Sequence, residues 1–162
     1  MDGLLSRPVP LLGLIALLSF GSVGLALVSQ YHFDMQPCPW CTLQRLIFLL
    51  IGAFAVLGLV LRSSGIRRVI AAGGLMLAVC GIASALWQHF VAAKSDSCNL
   101  TLADRIMQAL GLYDRAPEVF APMASCAEAS ITLLGIPYAF WSLFAFLLCA
   151  LGCVQVMRVT RI

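Results

Sequence analysis

Four long apolar stretches decide what this chain can become. Residues 9–29, 43–61, 69–91 and 136–157 are each nearly free of charge. A helix needs about 20 such residues to cross a hydrocarbon core roughly 30 Å thick. In lipid, every backbone N–H and C=O must find a partner within its own segment, so stretches of this kind fold as helices. The composition agrees: 62% of the residues are hydrophobic and 10% charged, against about 25% charged in soluble domains. The first stretch is longer than the roughly 7–15-residue core of a cleaved signal peptide, so it is expected to remain as a span. No internal repeat is visible. The expected fold class is an all-α membrane protein, a four-transmembrane-helix bundle forming one domain over residues 1–162.

The joints follow from local chemistry. Pro37 and Pro39 are expected to keep residues 31–41 out of helix, with Thr42 the candidate N-cap of the second span. Residues 62–68 read as a tight basic turn. In the third span, Gly74/Ala78 and Gly81/Ala85 are small residues four apart, a spacing that lets helices approach closely in lipid. The one long connection covers residues 92–135. Within it, Thr101-Leu102-Ala103-Asp104 resembles a capping box with Asp in place of Glu. Leu102, Ala103, Ile106, Met107 and Leu110 fall on one helical face, with Asp104, Arg105 and Gln108 opposite, and Gly111 is the expected stop. This predicts a short amphipathic helix, set either on the lipid bilayer surface or against the protein.

Basic residues orient the bundle. Four spans put residues 1–8, 62–68 and 158–162 on one side, with Arg7, Arg62, Arg67, Arg68, Arg158 and Arg161. The loops 30–42 and 92–135 share the other side with Lys94, Arg105 and Arg115, and Arg45 sits at the rim of the second span. The positive-inside rule makes the first side cytoplasmic. The net charge of +3 comes with no basic patch interleaved with aromatics, which excludes a nucleic-acid partner.

Seven cysteines are many for 162 residues. Cys80, Cys149 and Cys153 lie inside apolar stretches, where a cysteine behaves as a small hydrophobe. Cys38, Cys41, Cys98 and Cys126 lie in the outward connections, and paired cysteines there suit an oxidising compartment. Cys98 and Cys126, 28 apart, could be a static clamp on the long loop, stabilising it by roughly 3–4 kcal/mol. Cys38-Pro39-Trp40-Cys41 is harder to read that way, because so small a ring removes little chain entropy. A Cys-X-X-Cys pair ahead of a helix has thiolates favoured by the N-terminal dipole, and Arg45 follows Cys41 by one helical turn. The same spacing occurs in zinc sites, but the second pair lacks it. Two exchangeable pairs suggest a relay: thiolate attacks disulfide, one pair meets a soluble thiol partner, and the other passes electrons to an acceptor dissolved in the bilayer. Arg45 could steady a Cys41 thiolate and donate to a quinone carbonyl, or simply snorkel to the interface.

The run Cys38-Pro39-Trp40-Cys41-Thr42-Leu43-Gln44-Arg45, with four spans and a second cysteine pair in the long loop, resembles the DsbB family of bacterial disulfide-bond formation proteins. Cys126-Ala127-Glu128 ahead of Leu134-Gly135, a proline and Trp141 is similar too. The circuit in which DsbA, DsbB and quinone keep the bacterial periplasm oxidising is an established one, and the resemblance implies it. It implies redox-active disulfides Cys38–Cys41 and Cys98–Cys126. Cys98 would form the mixed disulfide with a DsbA-like partner. Cys126 would resolve it and could pair transiently with Cys38. Cys41 would be the thiolate facing ubiquinone or menaquinone beside Arg45, with His89 near the quinone. The protein would be a DsbA oxidase and quinone reductase of the inner membrane, with both termini cytoplasmic. Near Gly135 the chain is about two residues shorter than the family pattern, and Ile131 stands where that pattern has an aromatic. Reoxidising DsbA, near −120 mV, is uphill for a structural disulfide below about −300 mV, by roughly 8 kcal/mol for two electrons, so a stronger sink such as quinone is required. Two other readings remain: a vitamin-K-epoxide-reductase-like enzyme, in which the order of the two pairs is reversed, and a non-enzymatic membrane protein with static disulfides.

Overall fold

A computed structural model of the protein describes residues 7–94, 101–130 and 132–160. In chain order the elements are α1 (Pro8–Phe33), α2 (Pro39–Val60), α3 (Ser64–Phe90), a 3-10 turn (Ala92–Lys94), α4 (Leu102–Ala109), α5 (Leu112–Arg115), α6 (Pro117–Phe120), the strands β1 (Thr132–Leu133) and β2 (Ile136–Pro137), and α7 (Tyr138–Val159). Helices α1, α2, α3 and α7 are long and apolar enough to cross a membrane. They form the expected up-and-down bundle, with the connecting elements α4–α6 gathered at one end.

Helices α1, α2 and α3 each begin before the expected stretch and α1 runs on to Phe33, whereas α7 begins two residues late. Helix α2 starts at Pro39, not after Thr42. Proline costs nothing at the first helical position, where its missing N–H would be an orphan anyway. Cys38 rather than Thr42 is the N-cap, its sulfur accepting from the Cys41 N–H at 3.3 Å. Thr42 lies one turn in, buried, its hydroxyl donating to the Pro39 carbonyl at 2.9 Å. At the other end the basic turn shrinks to residues 61–63. Arg67 Nε donates to the Gly58 and Leu61 carbonyls at 2.9 and 3.0 Å, satisfying acceptors that the end of α2 leaves open.

The small-residue stripe of α3 is the seam with α7. Gly74, Ala78, Gly81 and Ala85 are all buried. A Cβ on Gly81 would run into the Phe146 ring, and one on Gly74 would meet Cys153 Sγ at 3.1 Å. Seven residues down α3 match seven up α7, as antiparallel neighbours require. Phe146 is wholly buried and stacks on Phe48, with centroids 3.9 Å apart and planes 2° from parallel. The ring, buried and stacked, therefore has little room to yield. Gly81→Ala is expected to destabilise the bundle by about 1–3 kcal/mol through overpacking, read as a lower melting temperature in detergent. Gly21→Ala, where a Cβ meets open space, should leave it unchanged or raise it.

Helix α4 carries its capping box: the Asp104 N–H donates to Thr101 Oγ1, and the Thr101 N–H donates to Asp104 Oδ2 at 3.0 Å. Gly111, at φ 63°, ends the helix as expected. The apolar face splits in two. Ala103 and Met107 are fully buried within the protein core, while Leu102 is 62% exposed and Ile106 and Leu110 are exposed beside it. Asp104 departs from the expected polar face. It is buried because its carboxylate closes the cap and also accepts from the Tyr113 hydroxyl at 3.0 Å. Burial and that bond push the Tyr113 hydroxyl's pKa up.

Where the fourth span was expected to start, the chain makes a small antiparallel hairpin instead. Leu133 pairs with Ile136 across Leu134 and Gly135, both at positive φ (55° and 79°). A two-residue hairpin turn needs that backbone conformation, and Gly135 supplies it without strain.

Candidate thiol-exchange site

Three sulfurs meet at the N-terminus of α2. Cys38 and Cys41, one helical turn apart, bring their Sγ atoms to 2.8 Å. Cys126 reaches them from the long loop. The Met123 and Ala124 N–H groups both donate to the Pro37 carbonyl, at 2.9 and 3.3 Å, which lays the loop across the start of α2. A tight turn then presents Cys126. Ser125 donates to Glu128 Oε2 from its N–H and its hydroxyl, both at 2.8 Å, and Glu128 returns its N–H to Ser125 Oγ at 3.3 Å. Those two bonds from Ser125 hold the Glu128 carboxyl below the usual carboxylate range. Cys126 Sγ hydrogen-bonds to the Cys38 thiol and accepts from the Trp40 N–H. The first free N–H groups of α2 thus point at sulfur, where the helix dipole favours negative charge.

Cys38 is the shared member of the trio, fully buried and hydrogen-bonded to both other sulfurs. Burial pushes its thiol up, and the bonds to Cys126 and Cys41 push it further. The bond from Cys38 brings Cys126 down, against its own burial. The two shifts run in opposite directions because one hydrogen bond joins the Cys38 thiol to the Cys126 sulfur. Thiolate is the nucleophile in disulfide exchange, and Cys126 lies in hydrogen-bond contact with Cys38.

Cys41 opens on its other side to a cavity of about 360 Å³. Arg45, only 6% exposed, lines the same cavity. Its Nη1 donates to Gln30 Oε1 at 2.7 Å and to the Val119 carbonyl at 2.8 Å, and its Nη2 contacts the Ala26 carbonyl at 3.4 Å. These acceptors belong to α1 and α6, so one guanidinium ties the long loop to the bundle at the cavity wall. Among the described residues no carboxylate pairs with it. Gln44 and Gln88 line it too, and most of the rest of the wall is apolar, with α1 and α7 contributing Leu18, Leu25, Phe144 and Leu148. Leu25, Phe144 and Leu148 are exposed on the outer face of the helices, so the cavity is open towards the surrounding lipid.

Cys98 and Ile131 lie outside the described residues. His89 does not line the cavity. Its ring packs edge-on against Phe90 and Phe140, at 4.9 and 4.7 Å. Its neighbour Gln88 faces the site instead, donating to Cys41 Sγ at 3.2 Å. Sequence reasoning passed over Gln88, Gln44 and Gln30, although an uncharged polar residue inside a span is a signal in itself, being costly in lipid unless partnered. It also passed over Ser125-X-X-Glu128, a legible capping box. Cys149 contacts Ser19 Oγ at 3.6 Å in the bundle interior, Cys153 packs on Gly74, and Cys80 is exposed on the surface of α3.

Fold and site together define a multi-pass helical membrane protein with three cysteine sulfurs in contact at one end of its bundle. The family model described as "Disulfide bond formation protein DsbB" matches residues 8–156. Curated proteins named "Disulfide bond formation protein B" are similar to the chain. The one from Cupriavidus necator is 34% identical over 131 residues, 80% of each chain. Those from Pseudomonas syringae pv. tomato and Alkalilimnicola ehrlichii are 32% and 33% identical, covering 91% of this chain and 88% and 90% of theirs. No solved structure matches. The chain belongs to the DsbB family and is a bacterial membrane protein of disulfide-bond formation.

Proposed function

We propose that the protein reoxidises a DsbA-like thiol partner in the periplasm and delivers the electron pair to a membrane quinone, ubiquinone or menaquinone. The observation that carries this reading is Cys38, in contact with Cys41 on one side and Cys126 on the other, beside a lipid-open cavity lined by Cys41 and Arg45.

A partner thiolate attacks Cys98 of a Cys98–Cys126 disulfide, and Cys126 leaves as thiolate. Cys126 attacks Cys38, forming Cys38–Cys126 and expelling Cys41 as thiolate. The partner's second thiol, rather than Cys126, resolves the mixed disulfide, because attack by Cys126 on Cys98 would release the partner reduced; the partner thus departs oxidised and frees Cys98. Cys98 attacks Cys126, restoring Cys98–Cys126 and leaving Cys38 reduced. Two electrons now reside on the Cys38–Cys41 pair. Proximity supplies much of the rate of the Cys126-on-Cys38 step, which is unimolecular within the trio.

The cavity suits a quinone. Its volume lies in the range of small-molecule sites, about 300–1,000 Å³, and its walls are mainly apolar with few polar groups. Arg45 would donate to a head-group carbonyl, and Leu25, Phe144 and Leu148 would face an isoprenoid tail. When bound, quinone would accept the electron pair that returns Cys38 and Cys41 to the disulfide. The basic residues at the opposite end of the bundle support a periplasmic setting for the sulfurs. In a detergent or proteoliposome assay, quinone absorbance should fall over many equivalents of reduced DsbA-like protein. Unchanged absorbance would sink the reading.

A further inference from the structure

Cys41 is the sulfur that must leave as an anion, in a part of the protein with little water. Arg45 shares its cavity, but the hydrogen bonds of that guanidinium go to oxygens, not to sulfur. The group that does reach Cys41 Sγ through its side chain, besides Cys38, is Gln88 on α3 at 3.2 Å. Gln88 is 5% exposed. An amide can present either nitrogen or oxygen to a neighbour. Here the choice is made by Gln44, itself buried, whose Nε2 donates to Gln88 Oε1 at 2.6 Å. With its oxygen engaged, Gln88 can turn only its NH₂ towards the sulfur. The chain of bonds runs in one sense, from Gln44 through Gln88 to Cys41, and ends on a donor. A donor aimed at sulfur favours the anion over the neutral thiol.

We propose that Gln88, held in orientation by Gln44, is a positioning residue that stabilises the Cys41 thiolate released when the Cys38–Cys41 disulfide opens. The inference rests on the exchange reading above, in which Cys126 attacks Cys38, the Cys38–Cys41 bond breaks and the electron pair leaves on Cys41. It adds a residue from a third helix to that step and gives Gln44 a role through Gln88. The arrangement also couples α2 to α3 at the sulfur, so the leaving group has a fixed partner before any acceptor arrives.

The test measures Cys41 directly and needs no quinone. In a Cys38→Ser background, quinone-free protein is treated with iodoacetamide at neutral pH, and Cys41 modification is followed by peptide mass spectrometry. Gln88→Met keeps the volume and removes the donor. A charge-assisted hydrogen bond of ordinary strength, partly offset by the greater nucleophilicity of a less stabilised thiolate, gives an expected slowing of about three- to tenfold. Gln44→Met leaves Gln88 in place but frees its amide to flip, and about a threefold slowing is expected. The double variant should be no slower than Gln88→Met alone, because both changes break one chain of bonds. Unchanged modification in Gln88→Met, or independent additive effects of the two variants, would overturn the inference. Should Gln88→Met fail to fold, Gln44→Met decides: an unchanged rate overturns the inference. The outcome is separate from that of the quinone assay. Active wild type with an unaffected Gln88→Met rate removes this inference alone, and slowed modification in a protein that never reduces quinone removes only the acceptor.

Discussion

Cys38→Ser is expected to stop turnover while leaving a single round of exchange intact. The reduced partner should be oxidised once per protein molecule, through Cys98–Cys126, and then no further, with no quinone consumed. The reason is geometric. Cys38 is the only sulfur of the described trio in contact with both others, so its loss separates the loop cysteine from the helix cysteine without removing either. Serine is nearly the same size, and its hydroxyl can still accept from the Cys41 N–H as the N-cap of α2. Packing should survive, and thermal unfolding should stay close to wild type. Rapid-quench alkylation and gel shift would count the equivalents. Continued multiple turnover would mean that electrons bypass Cys38, and the relay would fall.

Arg45→Met should raise the KM for quinone by roughly tenfold or more, the worth of a lost charge-assisted hydrogen bond of about 1.5–3 kcal/mol. It should also raise the KM for the DsbA-like partner, by less. The smaller effect arises because Arg45 holds the Val119 carbonyl, so its loss loosens the loop that carries Cys126. The substitution strands Gln30 Oε1 in a buried site, which costs about 1–3 kcal/mol of stability. Tyr31→Phe is the matching control. It removes a tether to the Glu118 carbonyl at 2.9 Å, one residue from Val119, and Tyr31 does not line the cavity. It should disturb the partner KM and leave the quinone KM alone. Equal shifts in both constants for Arg45→Met would make Arg45 a loop anchor only. Steady-state kinetics with each substrate varied in turn would separate the cases.

The bundle was legible because lipid leaves a chain few choices. Charge-free stretches of about 20 residues must be helices, and the Gly74–Ala85 stripe could serve little else than close contact. Helix ends were less legible. Thr42 has the right side chain for a cap, but Pro39 at the first helical position and the Cys38 sulfur moved the start of α2 four residues earlier. That shift places Cys41 inside the helix and Cys38 at its tip. On α4, a helical wheel assigned Asp104 to the solvent face. It could not show that the cap and the Tyr113 hydroxyl would draw that carboxylate inward.

For the site, residue types were readable and partners were not. The order of the cysteines and the basic residues separates this chain from a vitamin-K-epoxide-reductase-like arrangement, and the DsbB family match agrees. His89 and Gln88 are adjacent, and sequence alone favoured the titratable one. A helix turns about 100° per residue, so only one of the two can face Cys41, and packing against α2 and α7 selects Gln88.

The sequence by itself determined a four-span helical protein, the family to which it belongs, and a Cys-X-X-Cys pair at the head of a span. These depend on hydropathy and spacing, which are local. Tertiary structure alone decided that Cys126 docks on Cys38 through the Pro37 carbonyl, that Arg45 binds loop and cavity at once, and that Gln88 turns a donor to Cys41. Each of those is a contact between residues 15 to 88 positions apart, closed by the packing of helices rather than by any property of the residues taken singly.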